Sequence, residues 1–318
     1  MPNDSPGVQP LSPRPPRPDW RLLLRMTRPG FLTVTAAGCL LGLASAAATG
    51  RGLDIPKALP TVVLALLAHA GGNVLNDYFD ARNGADAANT SGLFPFSGGS
   101  RLIQNGVVSM ADTGRWAAAL LILLIPPGLL LALHSGGGLV AIGVAGLLLA
   151  WAYSAPPLAL MSRGLGELAV AGAWWLVVVG ADYVQRGQFF VVPAVIAVSY
   201  ALLVANILLI NGFPDAEADG RVGKATLVVR LSPRRAAWLY GGIALLAHGW
   251  LALTAWRLIP QAALWGLLSL PLSLTAGWLL VRHADEPRRL RPAIVLSIAA
   301  AVVHGLAVAG GLVSQTWA

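Results

Sequence analysis

Asn73-Val74-Leu75-Asn76-Asp77-Tyr78-Phe79-Asp80 closes an apolar run of helical length, residues 57–80. At helical spacing Asn73, Asn76, Asp77 and Asp80 share one face. A helix long and apolar enough to cross hydrocarbon that ends in amides and carboxylates reads as a membrane span whose polar end meets water. Two carboxylates one turn apart repel each other and lose hydration beside a bilayer. Their natural complement is a cation, and Mg²⁺ carried with a phosphorylated ligand fits best.

The rest of the chain repeats that apolar length. Of 318 residues 56% are hydrophobic and only 11% charged, too apolar for a soluble domain of this size. The sequence predicts an all-α, multi-pass membrane protein with nine transmembrane helices, at residues 27–49, 57–80, 114–134, 138–155, 165–185, 191–212, 236–257, 261–282 and 293–314. Gly, Pro and Arg punctuate them, as at Pro126-Pro127, Gly136-Gly137-Gly138 and Pro156-Pro157. Residues 1–20 are rich in Pro and Arg and contain no apolar core of a signal peptide. They are expected to form a disordered cytosolic tail, leaving 21–318 as the transmembrane domain.

With nine spans and the N-terminus inside, 18 of the 22 Lys and Arg residues fall in cytosolic segments, and only Arg51, Lys57, Arg186 and Arg257 fall outside. The net charge of +8 is therefore topogenic, dispersed through short loops, and does not point to nucleic acid. The single cysteine, Cys39, rules out an internal disulfide or a cysteine metal cluster. No paired-histidine metal spacing occurs; His69, two turns before Asp77, reads as a satisfied core residue.

Four helices later the polar pattern returns in Asn211-Gly212-Phe213-Pro214-Asp215-Ala216-Glu217-Ala218-Asp219. Asp215 and Asp219 are one turn apart, again at the cytosolic end of an apolar helix, while Glu217 points away from them. Two such pairs on one membrane face can converge on Mg²⁺ ions that bridge a diphosphate. Arg82, Arg163, Arg221 and Lys224 are placed to neutralise phosphate. Tyr153-Ser154, beside the Pro156-Pro157 turn, offers hydroxyl donors for phosphate or an acceptor, and Glu167 has i+4 spacing for a pair with Arg163. An ion-coupled transporter is the competing class, but transporters place ionisable groups near the bilayer midplane rather than at helix ends. A CDP-alcohol phosphatidyltransferase would need a Gly soon after the second Asp, where this chain has Asp80-Ala81-Arg82.

With both clusters in place, the chain from Trp20 onward resembles the UbiA superfamily of membrane-embedded aromatic prenyltransferases. Asn76-Asp77-Tyr78-Phe79-Asp80 with Gly84-Ala85-Asp86 looks like its first Asp-rich motif, and Asp215 to Asp219 with Gly223-Lys224-Ala225-Thr226-Leu227 looks like its second. Arg28-Pro29 and the Tyr153-Ser154 to Gly166-Glu167 stretch also fit. The resemblance implies a nine-helix bundle in the cytoplasmic (inner) membrane with a cytosolic active site. It also implies Mg²⁺ held by Asp77, Asp80, Asp86, Asp215 and Asp219, with Asn76 and Asn211 orienting them, a polyprenyl diphosphate donor, an aromatic acceptor and an opening to the lipid bilayer. The six-residue step from Asp80 to Asp86 is most similar to 1,4-dihydroxy-2-naphthoate polyprenyltransferases of menaquinone synthesis, with 4-hydroxybenzoate or another aromatic acid as the alternative acceptor.

Overall fold

The computed structural model describes residues 17–90 and 92–315, and among these every regular element is helical. Residues 1–16 of the tail expected to be disordered lie outside the described residues. Asp19 caps α1 (Trp20–Met26), its carboxylate accepting from Leu22 N at 2.8 Å. Then follow α2 (Pro29–Ala46), which runs into a π turn, and α3 (Ile55–Asn83), capped by Asp54. Gly84, at φ +84°, stops α3 and starts the short α4 (Ala85–Ala88). After the polar loop come α5 (Met110–Leu123) and α6 (Ile125–Ser135), one apolar span broken just before Pro126-Pro127. The chain continues through α7 (Gly138–Ser154), α8 (Gly166–Arg186), α9 (Val191–Arg221), α10 (Leu227–Leu231) and α11 (Pro233–Ala255). It ends with α12 (Leu270–Arg282), entered through a 3₁₀ stretch from Gln261, and α13 (Arg291–Ser314).

Among the described residues eight helices, counting α5 with α6 and α12 with its 3₁₀ entry, are long and apolar enough to cross a membrane. The ninth expected span, α7, is apolar but only 17 residues long, about 25 Å against a hydrocarbon core of about 30 Å. Two spans also run further than their apolar runs suggest. α3 continues to Asn83, and α9 continues nine residues past 212, through Pro214, so both carboxylate pairs sit inside helices. Pro214 removes one backbone donor from α9. The buried Phe213 and Pro214 hold the helix on course, Phe213 in a cluster with Val228 of α10 and Tyr240 of α11.

The main apolar core lies where α2, α8, α9, α11 and α13 meet, around Val34, Leu41, Val178, Ile196, Leu251 and Val308. Tyr200 of α9 stands at its centre, its hydroxyl donating to Val34 O of α2. Small residues let backbones touch: a Cβ on Gly42 of α2 would lie 2.2 Å from Val178 O of α8, and one on Gly311 of α13 would lie 2.1 Å from Ala262 O. Two buried histidines in this half are linked through serines. His248 Nε2 lies 2.9 Å from Ser269 Oγ, which lies 3.2 Å from His304 Nδ1, and His304 Nε2 lies 3.0 Å from Ser199 Oγ.

Candidate active site

The C-terminal turns of α3 and α9 approach each other at one end of the bundle, and the loop after α4 folds over them. Helical rotation separates the two aspartates of α3. Asp77 turns to Arg28, which donates to one carboxylate oxygen, while Ser100 N donates to the other at 3.2 Å. Asp80 turns to α9 and accepts from Lys224 Nζ at 3.0 Å, from Asn76 Nδ2 at 3.0 Å and from Asn83 Nδ2 at 3.2 Å. Lys224 also lies 3.3 Å from Asp219, so one ammonium joins the two clusters that the chain separates by more than a hundred residues.

Asp215 is tied to the overlying loop: Asn89 Nδ2 donates to it at 2.6 Å and Gly98 N at 3.0 Å. Asp86, brought back under the loop by the Gly84 turn, accepts from Gln104 Nε2 at 3.3 Å. Arg101 donates to the carbonyls of Asp86 and Asn89 and stacks on Phe94. Arg28 and Arg101 both have left-handed backbones, φ +53° and +60°, unusual for side chains of this size and held here by the contacts just described.

The enclosed polar cleft has a volume of about 120 Å³, and Asp80, Asp86, Asp215, Asp219, Lys224 and Arg28 face it. A second, apolar cavity of about 470 Å³ adjoins it between α2, α3, α6, α7 and α8. Arg28, Asn76, Phe96, Tyr153, Leu208 and Asn211 line both, forming the ring where charge gives way to hydrocarbon. Along α3 the apolar cavity runs from Asn76 to Thr61, about 22 Å of helix. His69 lies on its wall, bonded to Thr35 Oγ1 at 2.8 Å and edge-on to Trp174.

The electrostatics follow from crowding. Burial, then the neighbouring carboxylates of Asp80 and Asp77, push Asp86 up to about 8. Burial opposes the charge of Lys224, but Asp80 and Asp219 outweigh it and hold the ammonium above its ordinary value. Arg28 is held up in the same way by Asp77, Asp86 and Asp80 against its own burial. The like-charged oxygens are what a hard divalent cation would relieve, and the donor set suits Mg²⁺. Among the described residues no three acidic, His or Cys side chains are gathered closely enough to chelate a metal alone. A Mg²⁺ ion here would complete its shell with phosphate oxygens and water, as is usual for that ion.

Several residues expected at the site lie elsewhere. Arg82 and Arg163 are exposed, and Arg163 donates to Pro157 O at 2.7 Å rather than pairing with Glu167. Arg221 is exposed and pairs with Glu217. Ser154 is buried behind Asn76, 3.4 Å from its Nδ2, and supports it instead of lining the cleft. Asn73 bonds Thr27 O at 3.0 Å, a structural contact. Conversely, Phe96 and the Gly98 and Ser100 amides enter the site without a spacing pattern to announce them, while Thr226 and Glu167 enter it from stretches that only the family resemblance marks.

Residues 33–312 match the UbiA prenyltransferase family. The chain is 33% identical to the 1,4-dihydroxy-2-naphthoate octaprenyltransferase of Mycobacterium tuberculosis, over 80% of this chain and 85% of that protein. It is 29% identical to the 1,4-dihydroxy-2-naphthoate octaprenyltransferase of Escherichia coli, over 93% and 96%. Its fold is also that of a UbiA homolog from Archaeoglobus fulgidus solved with GPP and Mg²⁺, with a TM-score of 0.54 over 91% of this chain and 99% of that one at 16% identity. A charged cleft opening into a long apolar cavity, and a family match spanning nearly the whole helical bundle, lead to one assignment: the chain belongs to the UbiA prenyltransferase family.

Proposed function

We propose that this protein transfers a polyprenyl group from a polyprenyl diphosphate to 1,4-dihydroxy-2-naphthoate, a step of menaquinone biosynthesis, with Mg²⁺ bound at the polar cleft. The observation that carries the reading is the six-residue ring joining a carboxylate-and-cation cleft to an apolar cavity, which matches a substrate with a diphosphate head and a hydrocarbon tail. The names of the relatives favour the dihydroxynaphthoate acceptor. Counting α7 as a span gives nine, and with the basic-residue bias this puts the N-terminus and the cleft on the cytosolic side of the inner membrane.

Asp80, Asp86, Asp215 and Asp219 would hold Mg²⁺, with Asp77 beside them on Arg28. Bound there, the metal supplies Lewis-acid neutralisation of the departing diphosphate. Lys224 and Arg28 add fixed positive charge where negative charge builds on the leaving group. Asn76, steadied by Ser154 and Asp80, and Tyr153 orient the head at the mouth of the apolar cavity. The hydrocarbon wall beyond them excludes water that would consume an allylic cation.

The test is a nanodisc assay with Mg²⁺, a polyprenyl diphosphate and either dihydroxynaphthoate or 4-hydroxybenzoate, with products identified by mass spectrometry. The expected product is the prenylated, decarboxylated naphthalenediol, absent with EDTA. Prenylation of hydroxybenzoate alone would overturn the acceptor, and diphosphate release indifferent to any acceptor would overturn the transfer.

A further inference from the structure

The carboxylates of the cleft differ in one respect. Asp80, Asp86, Asp215 and Asp219 each have a cation, an amide or a backbone N–H from another residue as partner. Glu167, at the start of α8, is 9% exposed and faces the same cleft, yet among the described residues its carboxylate bonds only its own backbone N–H. Gly166, Leu208 and Gly212 line the cleft with it, and Ala169 and Val170, within one turn of it on α8, line the apolar cavity. Two further acceptor atoms of residues lining the cleft are buried without a partner: Asn211 Oδ1 and Thr226 Oγ1. Such groups are not left unmatched without a reason, since each costs about 1–3 kcal/mol when nothing pairs with it.

A carboxylate and an amide oxygen only accept hydrogen bonds, and they repel phosphate. The ligand that satisfies them has O–H donors on an otherwise flat, apolar body. Resting on the prenyl-transfer reading above, we infer that Glu167 is a catalytic base that binds a ring hydroxyl of the aromatic acceptor, with Asn211 and Thr226 completing the subsite. The hydroxyl O–H breaks and its proton passes to Glu167. The freed electron pair moves into the ring, and a ring carbon forms the new C–C bond to C1 of the prenyl group as the C1–O bond breaks and its pair leaves with diphosphate. Where that carbon bears a carboxylate, the C–CO₂ bond then breaks, CO₂ leaves and its electron pair restores the aromatic oxyanion. Glu167 returns its proton to that oxygen, so no other acid or oxidant is required.

The experiment compares wild type, E167Q and E167D in nanodiscs with Mg²⁺, geranyl diphosphate and dihydroxynaphthoate or its two mono-O-methyl ethers. E167Q keeps geranyl diphosphate affinity and its KM, loses about 100-fold in kcat, and E167D recovers part of that loss. With one of the two methyl ethers, the one lacking the hydroxyl that Glu167 binds, wild type and E167Q turn over at equal rates. Wild-type kcat in E167Q, or an equal E167Q deficit with both ethers, overturns the assignment. So does loss of geranyl diphosphate binding in both variants, which would make Glu167 a structural residue. A wild type that prenylates no hydroxylated aromatic removes the transfer reading and this inference with it, whereas an active wild type matched by E167Q removes this inference alone.

Discussion

At the residue scale, the site depends on one backbone approach. Gly99 has φ +73°, and a Cβ there would lie 2.5 Å from Asp86 Oδ2. Gly99→Ala imposes left-handed strain of about 1–2 kcal/mol and a clash with Asp86. It is expected to lower prenyl transfer about tenfold or more, while Gly106→Ala, with φ +67° but open space around it, bears the strain without the clash and loses less. Initial rates at saturating Mg²⁺ check the difference. The Arg163–Glu167 spacing shows why such detail was hidden in the sequence. The i+4 rule holds only when both residues share one helix; here Arg163 ends a 3₁₀ turn, Gly164 is left-handed and Glu167 begins α8, so the two side chains diverge.

At the scale of elements, apolar length announced each helix, and close packing decided where the helices lie. α2 meets α8 at Gly42, where backbone rather than a flexible side chain fills the space, so neither helix can yield cheaply. Gly42→Ala is expected to destabilise the protein by about 1–3 kcal/mol through overpacking. Faster thermal inactivation in detergent checks it, with Gly241→Ala, which meets nothing within 4 Å, as the near-neutral control. The carboxylate pairs on α3 and α9 were legible from their spacing. Their division of labour was not, because 100° of helical rotation per residue sends Asp77 to Arg28 and Asp80 to Lys224.

At the scale of the whole molecule, the cleft and the apolar cavity adjoin across a ring of shared residues from distant segments, and the depth of the cavity belongs to no single helix. Gly146 of α7 lines the cavity, is half-buried and has nothing within 4 Å of an added Cβ, so Gly146→Phe is expected to narrow the cavity about 10 Å along α7 from Tyr153. Transfer from geranyl diphosphate is expected to persist in this variant while transfer from octaprenyl diphosphate falls at least tenfold, read as product yield by mass spectrometry. Equal rates with both donors would place the tail elsewhere. The sequence by itself determined that the chain is a helical membrane protein with two acidic clusters at helix ends, because hydrophobic length and i+4 spacing are local properties. Only the tertiary structure decided that Lys224 bridges Asp80 and Asp219, that Arg82, Arg163 and Arg221 are exposed, and that Glu167 faces the cleft with no partner from another of the described residues. Those facts depend on which faces of separate helices meet, and the opening stretch Asn73 to Asp80 carries no record of its partners Arg28, Ser100 and Lys224.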